Sequence, residues 1–218
     1  MSAIAVDHLV VAADTLDEGV AWCETTLGVS PAAGGRHALM GTHNRLLALA
    51  CEAYPQAYLE IIAIDPAAPA PGRTRWFGLD ERAPGQPPRL IHWVGRSTML
   101  DMHRWGLITL GQPPGDPVAA SRDTPQGRLQ WQILLRDDGR LACGGALPTL
   151  IQWQGGHAAD TLPPSGVHLR ALTLAGVPRR VRELLRPRGV HFIDAAPGLP
   201  ALQAVLGTPR GDVALASD

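Results

Sequence analysis

Residues 6–11 read Val6-Asp7-His8-Leu9-Val10-Val11, an apolar strand-like run broken by one histidine, and they lead into the helix-like run Leu16 to Leu27 and then Gly28. The same order returns as Leu90-Ile91-His92-Trp93-Val94, Met99 to Leu110 and Gly111. It returns again as Val167-His168-Leu169-Arg170-Ala171-Leu172, Pro178 to Leu185 and Gly189. The steps from histidine to glycine are 20, 19 and 21 residues, a register that chance rarely keeps, so the chain reads as an internal repeat. Local chemistry agrees. Thr15 with Glu18, and Thr98 with Asp101, fit capping boxes at two helix starts. Leu16, Val20, Cys23 and Leu27 form the stripe of a helix lying on a sheet. Pro178 suits a first helical turn, and the three glycines suit left-handed helix stops.

Working outward, helices are predicted over 15–27, 98–109 and 178–186. Strand-like runs follow each glycine: Asn44 to Cys51 and Tyr58 to Ile64 in the first unit, Leu129 to Leu135, Arg140 to Cys143 and Thr149 to Trp153 in the second, and His191 to Asp194, Ala201 to Leu206 and Val213 to Ala216 in the third. Each unit is one strand, one helix and about three strands. The fold class is therefore α+β, with βαβββ units over 4–66 and 88–156 and a shorter third unit over 165–217. The connecting segments are neither charged nor long enough to be free tethers, so one domain over 1–218 is expected.

Composition bounds the chemistry. The 218 residues carry a formal net charge of −1, and no lysine occurs among the 19 basic residues. Schiff-base catalysis, a pyridoxal anchor and a P-loop are excluded. No clustered basic excess marks a nucleic-acid partner, and no apolar run is long enough for a membrane span. Cys23, Cys51 and Cys143 form no CxxC pair and read as small apolar fillers, which with the plain N-terminus implies a reducing cytoplasm. GxGxxG, GxSxG and HExxH are absent.

Strand alternation turns His8, Val10 and Ala12 one way and Leu9 and Val11 the other. The apolar set belongs under the helix, so His8, and by the same logic His92, face away from it and converge if the two units share a curved wall. Glu60 interrupts the apolar run Tyr58-Leu59-Glu60-Ile61-Ile62-Ala63-Ile64, and a buried carboxylate needs a cation, a strand end or a metal. Overlaying the units adds Gln152. His8, Glu60, His92 and Gln152 together suit a divalent metal such as iron, nickel, zinc or manganese. The alternatives are structural: histidines bonded to nearby carbonyls and a glutamine capping a sheet end. His37, His43, Asn44 and Arg45 fall in a Gly-flanked loop entering a strand, where they either orient a substrate or hold a turn. Trp76, with Arg73 and Arg75, forms either a lid or a packed indole with solvated arginines. His103 and Arg104 read as helix-surface residues, and His168 as structural.

Asp7-His8-Leu9-Val10-Val11, Gly35-Arg36-His37, Gly41-Thr42-His43-Asn44-Arg45-Leu46-Leu47, Tyr58-Leu59-Glu60-Ile61-Ile62, Arg75-Trp76-Phe77-Gly78-Leu79-Asp80 and Leu150-Ile151-Gln152-Trp153 together resemble the glyoxalase-like domains of the vicinal oxygen chelate superfamily. The resemblance implies a cup-shaped mixed sheet with helices outside. It also implies a divalent metal that binds a small oxygenated metabolite. Carried over position by position, His8, His92 and Glu60 match metal ligands, with Glu60 also the candidate base. Gln152 stands where the pattern has a glutamate and cannot act as a base. The implied activity is a metal-dependent lyase or isomerase acting on an α-oxo or enolisable metabolite. Two alternatives stay open: a metal-free small-molecule or drug-binding protein with the same cup, and a ferrous ring-cleaving dioxygenase. Open sheet edges offer a surface for a homodimer.

Overall fold

In the computed structural model, which describes residues 3–124 and 127–217, strand β1 (Ala5–Ala12) lies at the centre of an eight-stranded sheet and is buried on both faces. Its neighbours follow the repeat. The first unit continues through α1 (Leu16–Leu27), β2 (Ala32–His37), β3 (Thr42–Ala48) and β4 (Tyr58–Ile64). The second comprises β5 (Arg89–Arg96), α2 (Leu100–Thr109), β6 (Asp116–Thr124), β7 (Gly127–Leu135) and β8 (Thr149–Gln154). The order β2-β3-β4-β1-β5-β8-β7-β6 is symmetric about the antiparallel β1–β5 pair, with β1 parallel to β4 and β5 parallel to β8. The two edge strands approach each other, since a Cβ on Gly35 of β2 would lie 3.1 Å from the Arg122 side chain of β6. The sheet thereby curls into a nearly closed cup.

Two apolar layers hold it. Leu9, Val11, Leu59, Ile61, Trp93 and Leu150 face the helices, and Val10, Ala12, Ile62, Val94, Ile133 and Ile151 face the cup. Burying each such Leu, Ile or Val contributes about 1.5–3 kcal/mol relative to leaving it exposed. The expected capping box at α1 is complete: Thr15 Oγ1 accepts from Glu18 N at 3.2 Å, and Thr15 N donates to the Glu18 carboxylate at 3.3 Å. Gly28 closes the helix at φ 76°.

Other expectations need correcting. The N-cap of α2 is Met99; Ser97 Oγ accepts from Met99 N, and Gln152 Oε1 accepts from Leu100 N, both at 3.0 Å. His103, expected on the helix surface, is buried, with Nδ1 2.8 Å from Ser97 Oγ. Arg140 to Cys143 is no strand: residues 142–145 form a 3-10 turn. Strands β2 and β6 are additional to the runs read from sequence. The third helix stops at Arg186, left-handed at φ 46°, and Gly189, also left-handed at φ 72°, lies three residues beyond that cap.

The third unit repeats the element order but not the topology. Its β9 (His168–Ala175), α3 (Arg179–Leu185), β10 (Val190–Ile193), β11 (Leu202–Thr208) and β12 (Gly211–Ala216) form a separate sheet of order β10-β9-β11-β12. Here the first strand is parallel to the next one, not to the last. Leu172, Leu174, Val181 and Leu185 of this unit share the core of Trp93 and Leu107. The unit therefore packs on the helical side of the main sheet and leaves the cup uncovered. Among the described residues no helix is long and apolar enough to cross a membrane.

Candidate active site

The site begins with a break in β1. Pairing with β5 runs Val6↔Gly95 and then His8↔Val94, so Asp7 is an extra, bulged residue. A bulge re-aims side chains, and here Asp7 and His8 join one buried network. Asp7 Oδ1 is 2.7 Å from His8 Nδ1, while Asp7 Oδ2 accepts from Trp153 Nε1 and from His157 Nε2, both at 2.9 Å. His157 Nδ1 accepts from Ala159 N, so the proton it donates to Asp7 sits on Nε2. On the other side of the imidazole, His8 Nε2 lies 3.5 Å from Glu60 Oε2. Tyr58 stacks on the ring with centroids 4.6 Å apart. Glu60 Oε1 accepts from Asn44 Nδ2 at 2.5 Å, and Asn44 Oδ1 accepts from Gly35 N at 2.7 Å, with Arg122 NH1 at 3.4 Å.

Burial alone would neutralise these groups, but pairing reverses it. Burial would drive His8 down, yet its hydrogen bonds to Asp7 and Glu60 carry its pKa up to about 9. Burial would raise Glu60, yet His8, His37 and Asn44 bring it down to about 2. Asp7, against the same burial, is held below the usual carboxylate range by His157 and His8. At neutral pH the centre is thus an imidazolium between two carboxylates. His37 behaves differently: burial lowers it to about 4, although Glu60 opposes the shift.

Around this centre Trp76, Phe77, Trp131, Trp153, Ile133 and Ile151 form an aromatic and aliphatic wall. The cavity they leave is small, about 30 Å³. Trp76 Nε1 is buried with no hydrogen-bond partner among the described residues. A wider groove of about 320 Å³ adjoins it, lined by His37, Leu39, Trp76, Ala120, Gln130 and Trp131.

Of the residues singled out from sequence, the structure brings His8, Glu60, His37, Asn44 and Trp76 together. Asn44 and its neighbours lie on β3, not in a loop, and the alternation that points Asn44 inward turns His43 and Arg45 away. His43 Nδ1 lies 3.9 Å from Asp65. Trp76 is packed in the wall, and Arg75 pairs with Asp80. The sequence reading missed Asp7, Tyr58, Arg122, Trp153 and His157. Asp7 adjoins a flagged histidine, but strand alternation assigns it to the wrong face, and Arg122 sits on an edge strand with no apolar pattern.

The glyoxalase-like domain family matches residues 6–187. The chain belongs to that family. No curated protein matches it. Among solved structures, a hypothetical protein from Staphylococcus aureus superposes with a TM-score of 0.58 at 14% identity, covering 97% of this chain and 84% of that one. A Streptomyces coelicolor methylmalonyl-CoA epimerase in complex with 2-nitronate-propionyl-CoA gives 0.46 at 14% identity, over 72% and 99%. A methylmalonyl-CoA epimerase from Mycobacterium tuberculosis gives 0.41 at 17%, over 69% and 87%. The first of these likenesses concerns the fold alone.

Membership in the glyoxalase-like family raises the question of whether His8, Glu60, His92 and Gln152 fit a divalent metal. They do not fit as a set. His92 Nδ1 lies 3.0 Å from Gly145 O, and its Nε2 accepts from Thr149 N at 3.1 Å, which engages the lone pair a metal would need. Burial lowers His92 to about 3 despite the bond to Gly145. Gln152 points to the helical side, where it caps α2, and Ile151 and Trp153 occupy the cup face of β8. Among the described residues no group of three His, Cys, Asp or Glu side chains is arranged to hold a metal.

Proposed function

We propose that this glyoxalase-like protein takes a small oxygenated molecule into the cup and moves a proton on it, as an isomerase or epimerase does, with His8 and Glu60 as the acid–base pair. The observation that supports this most is the His8–Glu60 contact. At 3.5 Å it is an ion pair long enough to be exchanged for contacts to a substrate oxygen. When a carbonyl oxygen takes the His8 Nε2 proton as a hydrogen bond, Glu60 loses its closest cation and becomes a stronger base. Glu60 then accepts the proton on the carbon next to the carbonyl while His8 donates to the developing enolate oxygen. Returning the proton to another face or carbon completes the isomerisation. Asp7 orients His8 and keeps it charged, and Asn44 holds one Glu60 oxygen so that the other faces the substrate. The orphaned Trp76 indole N–H offers a further donor to a bound molecule.

A second reading, ligand binding without chemistry, is favoured by the narrow free space inside the aromatic wall. A third, metal-dependent chemistry, would need a ligand set other than His8, Glu60, His92 and Gln152 together. One experiment separates the three: deuterium exchange from solvent into a panel of α-oxo and α-hydroxyketone compounds, followed by NMR, on protein before and after chelation. Exchange that survives chelation and falls by about 10²-fold or more in Glu60→Gln is expected for a general base. Exchange abolished by chelation and restored by a metal would favour the third reading. No exchange above buffer for any compound would leave the binder.

A further inference from the structure

Away from the acid–base pair, on a face of the cup mouth that shares only Phe77 with it, a second cavity of about 360 Å³ is lined by Arg82, Arg89, Arg140, Gln86 and Glu81. Three guanidinium groups line it, Arg82 paired with Asp14 and Arg140 with Glu81, whereas no arginine lines the groove beside Trp131. Arg82 is the informative member. Its side chain is 9% exposed; Nε donates to Asp14 Oδ1 at 2.8 Å, and NH2 donates to the Gln86 and Pro87 carbonyls. That leaves NH1 buried with no partner among the described residues. A guanidinium N–H held in place by three other bonds and lacking an acceptor is a costly omission for the fold alone. The carboxamide oxygen of Gln86, whose backbone carbonyl accepts from Arg82, is also buried without a partner among the described residues, and rotating that amide would present a second donor. Arg140, 68% exposed and bonded through Nε to Glu81, can swing its remaining N–H groups across the opening.

We propose that this recess is an oxyanion-binding site, in which Arg82 NH1 supplies the fixed contact and Arg140 the mobile one. Its ligand is a phosphate or a carboxylate, free or carried on a larger molecule. The site does not rest on the proton-transfer reading: it uses none of His8, Glu60 or Asn44.

Titrating the intact protein with inorganic phosphate and, separately, with acetate, read by amide shifts in NMR, tests it. One saturable site is expected, with the changes centred on Gly78, Arg82, Gln86 and Arg89. The affinity should fall by about tenfold or more in Arg140→Gln, as for a lost charge-assisted bond, and should be unchanged in Arg179→Gln on α3. The Arg140 variant keeps the test decisive even if Arg82→Gln fails to fold. Tighter binding of phosphate assigns a phosphate, and tighter binding of acetate a carboxylate. No saturable change with either anion, or equal weakening by Arg140→Gln and Arg179→Gln, overturns the proposal.

Discussion

Asp7→Ala is expected to cost about 3–5 kcal/mol of folding stability, the range for removing one partner of a buried charged pair. The carboxylate is fully buried and receives bonds from three side chains, His8, Trp153 and His157. Without it the indole and the two imidazoles keep their desolvation cost and lose their acceptor. Asp7→Asn should fall between alanine and the parent, because one amide oxygen still accepts while the charge that raises His8 is gone. Urea denaturation followed by far-UV circular dichroism measures both. A loss below about 1 kcal/mol for alanine, the value of an ordinary hydrogen bond, would mean that the network contributes little to the fold.

The second large effect lies on the other face of the sheet. Trp93 is fully buried on β5, donates from Nε1 to Ala146 O at 2.9 Å, and meets Leu174, Val177, Val181 and Leu185 of the third unit. Trp93→Ala should destabilise by about 3–5 kcal/mol, as large aromatic truncations in cores do. Because the cavity opens between the main sheet and the third unit, we propose that units 4–66, 88–156 and 165–217 melt together. Calorimetry of the variant should then show one transition at a lowered midpoint, and a separate transition for the third unit would contradict that.

Where the sequence was informative and where it was not follows from which forces leave a local mark. The first capping box, the apolar stripe of α1 and a carboxylate inside β4 are local features, and the structure has them. Strands β2 and β6 were invisible because each lies at an edge of the sheet, where Ala-Ala-Gly-Gly-Arg-His and Asp-Pro-Val-Ala-Ala-Ser-Arg-Asp-Thr need no apolar alternation. Gln152 was misplaced in register. Val10 pairs with Glu60 in the first unit where Val94 pairs with Thr149 in the second, so the residue that matches Glu60 is Thr149, which meets His92 Nε2 at 3.0 Å. Asp7 itself was hidden because a bulge breaks the period of two on which facing is inferred. The different pairing in the third unit arises from contacts distant in sequence, which a matching element order does not reveal.

The state of His8 carries the account, and it has a sign in pH. Its folded pKa, about 9, lies above the ordinary 6.5. The stabilisation it brings is complete below about 6.5 and is lost as pH rises toward 9, because the folded state then binds more protons than the unfolded one. Glu60, depressed from 4.5 to about 2, acts oppositely: its contribution is present above 4.5 and is lost as pH falls toward 2. The most direct measurement is an NMR titration of the imidazole nitrogens of His8 in the parent protein and in Asp7→Asn. The predicted result is an imidazolium at pH 7.5 that titrates near 9 and moves down in the variant. A His8 that is neutral at pH 7.5 and titrates at or below 6.5 would contradict the account.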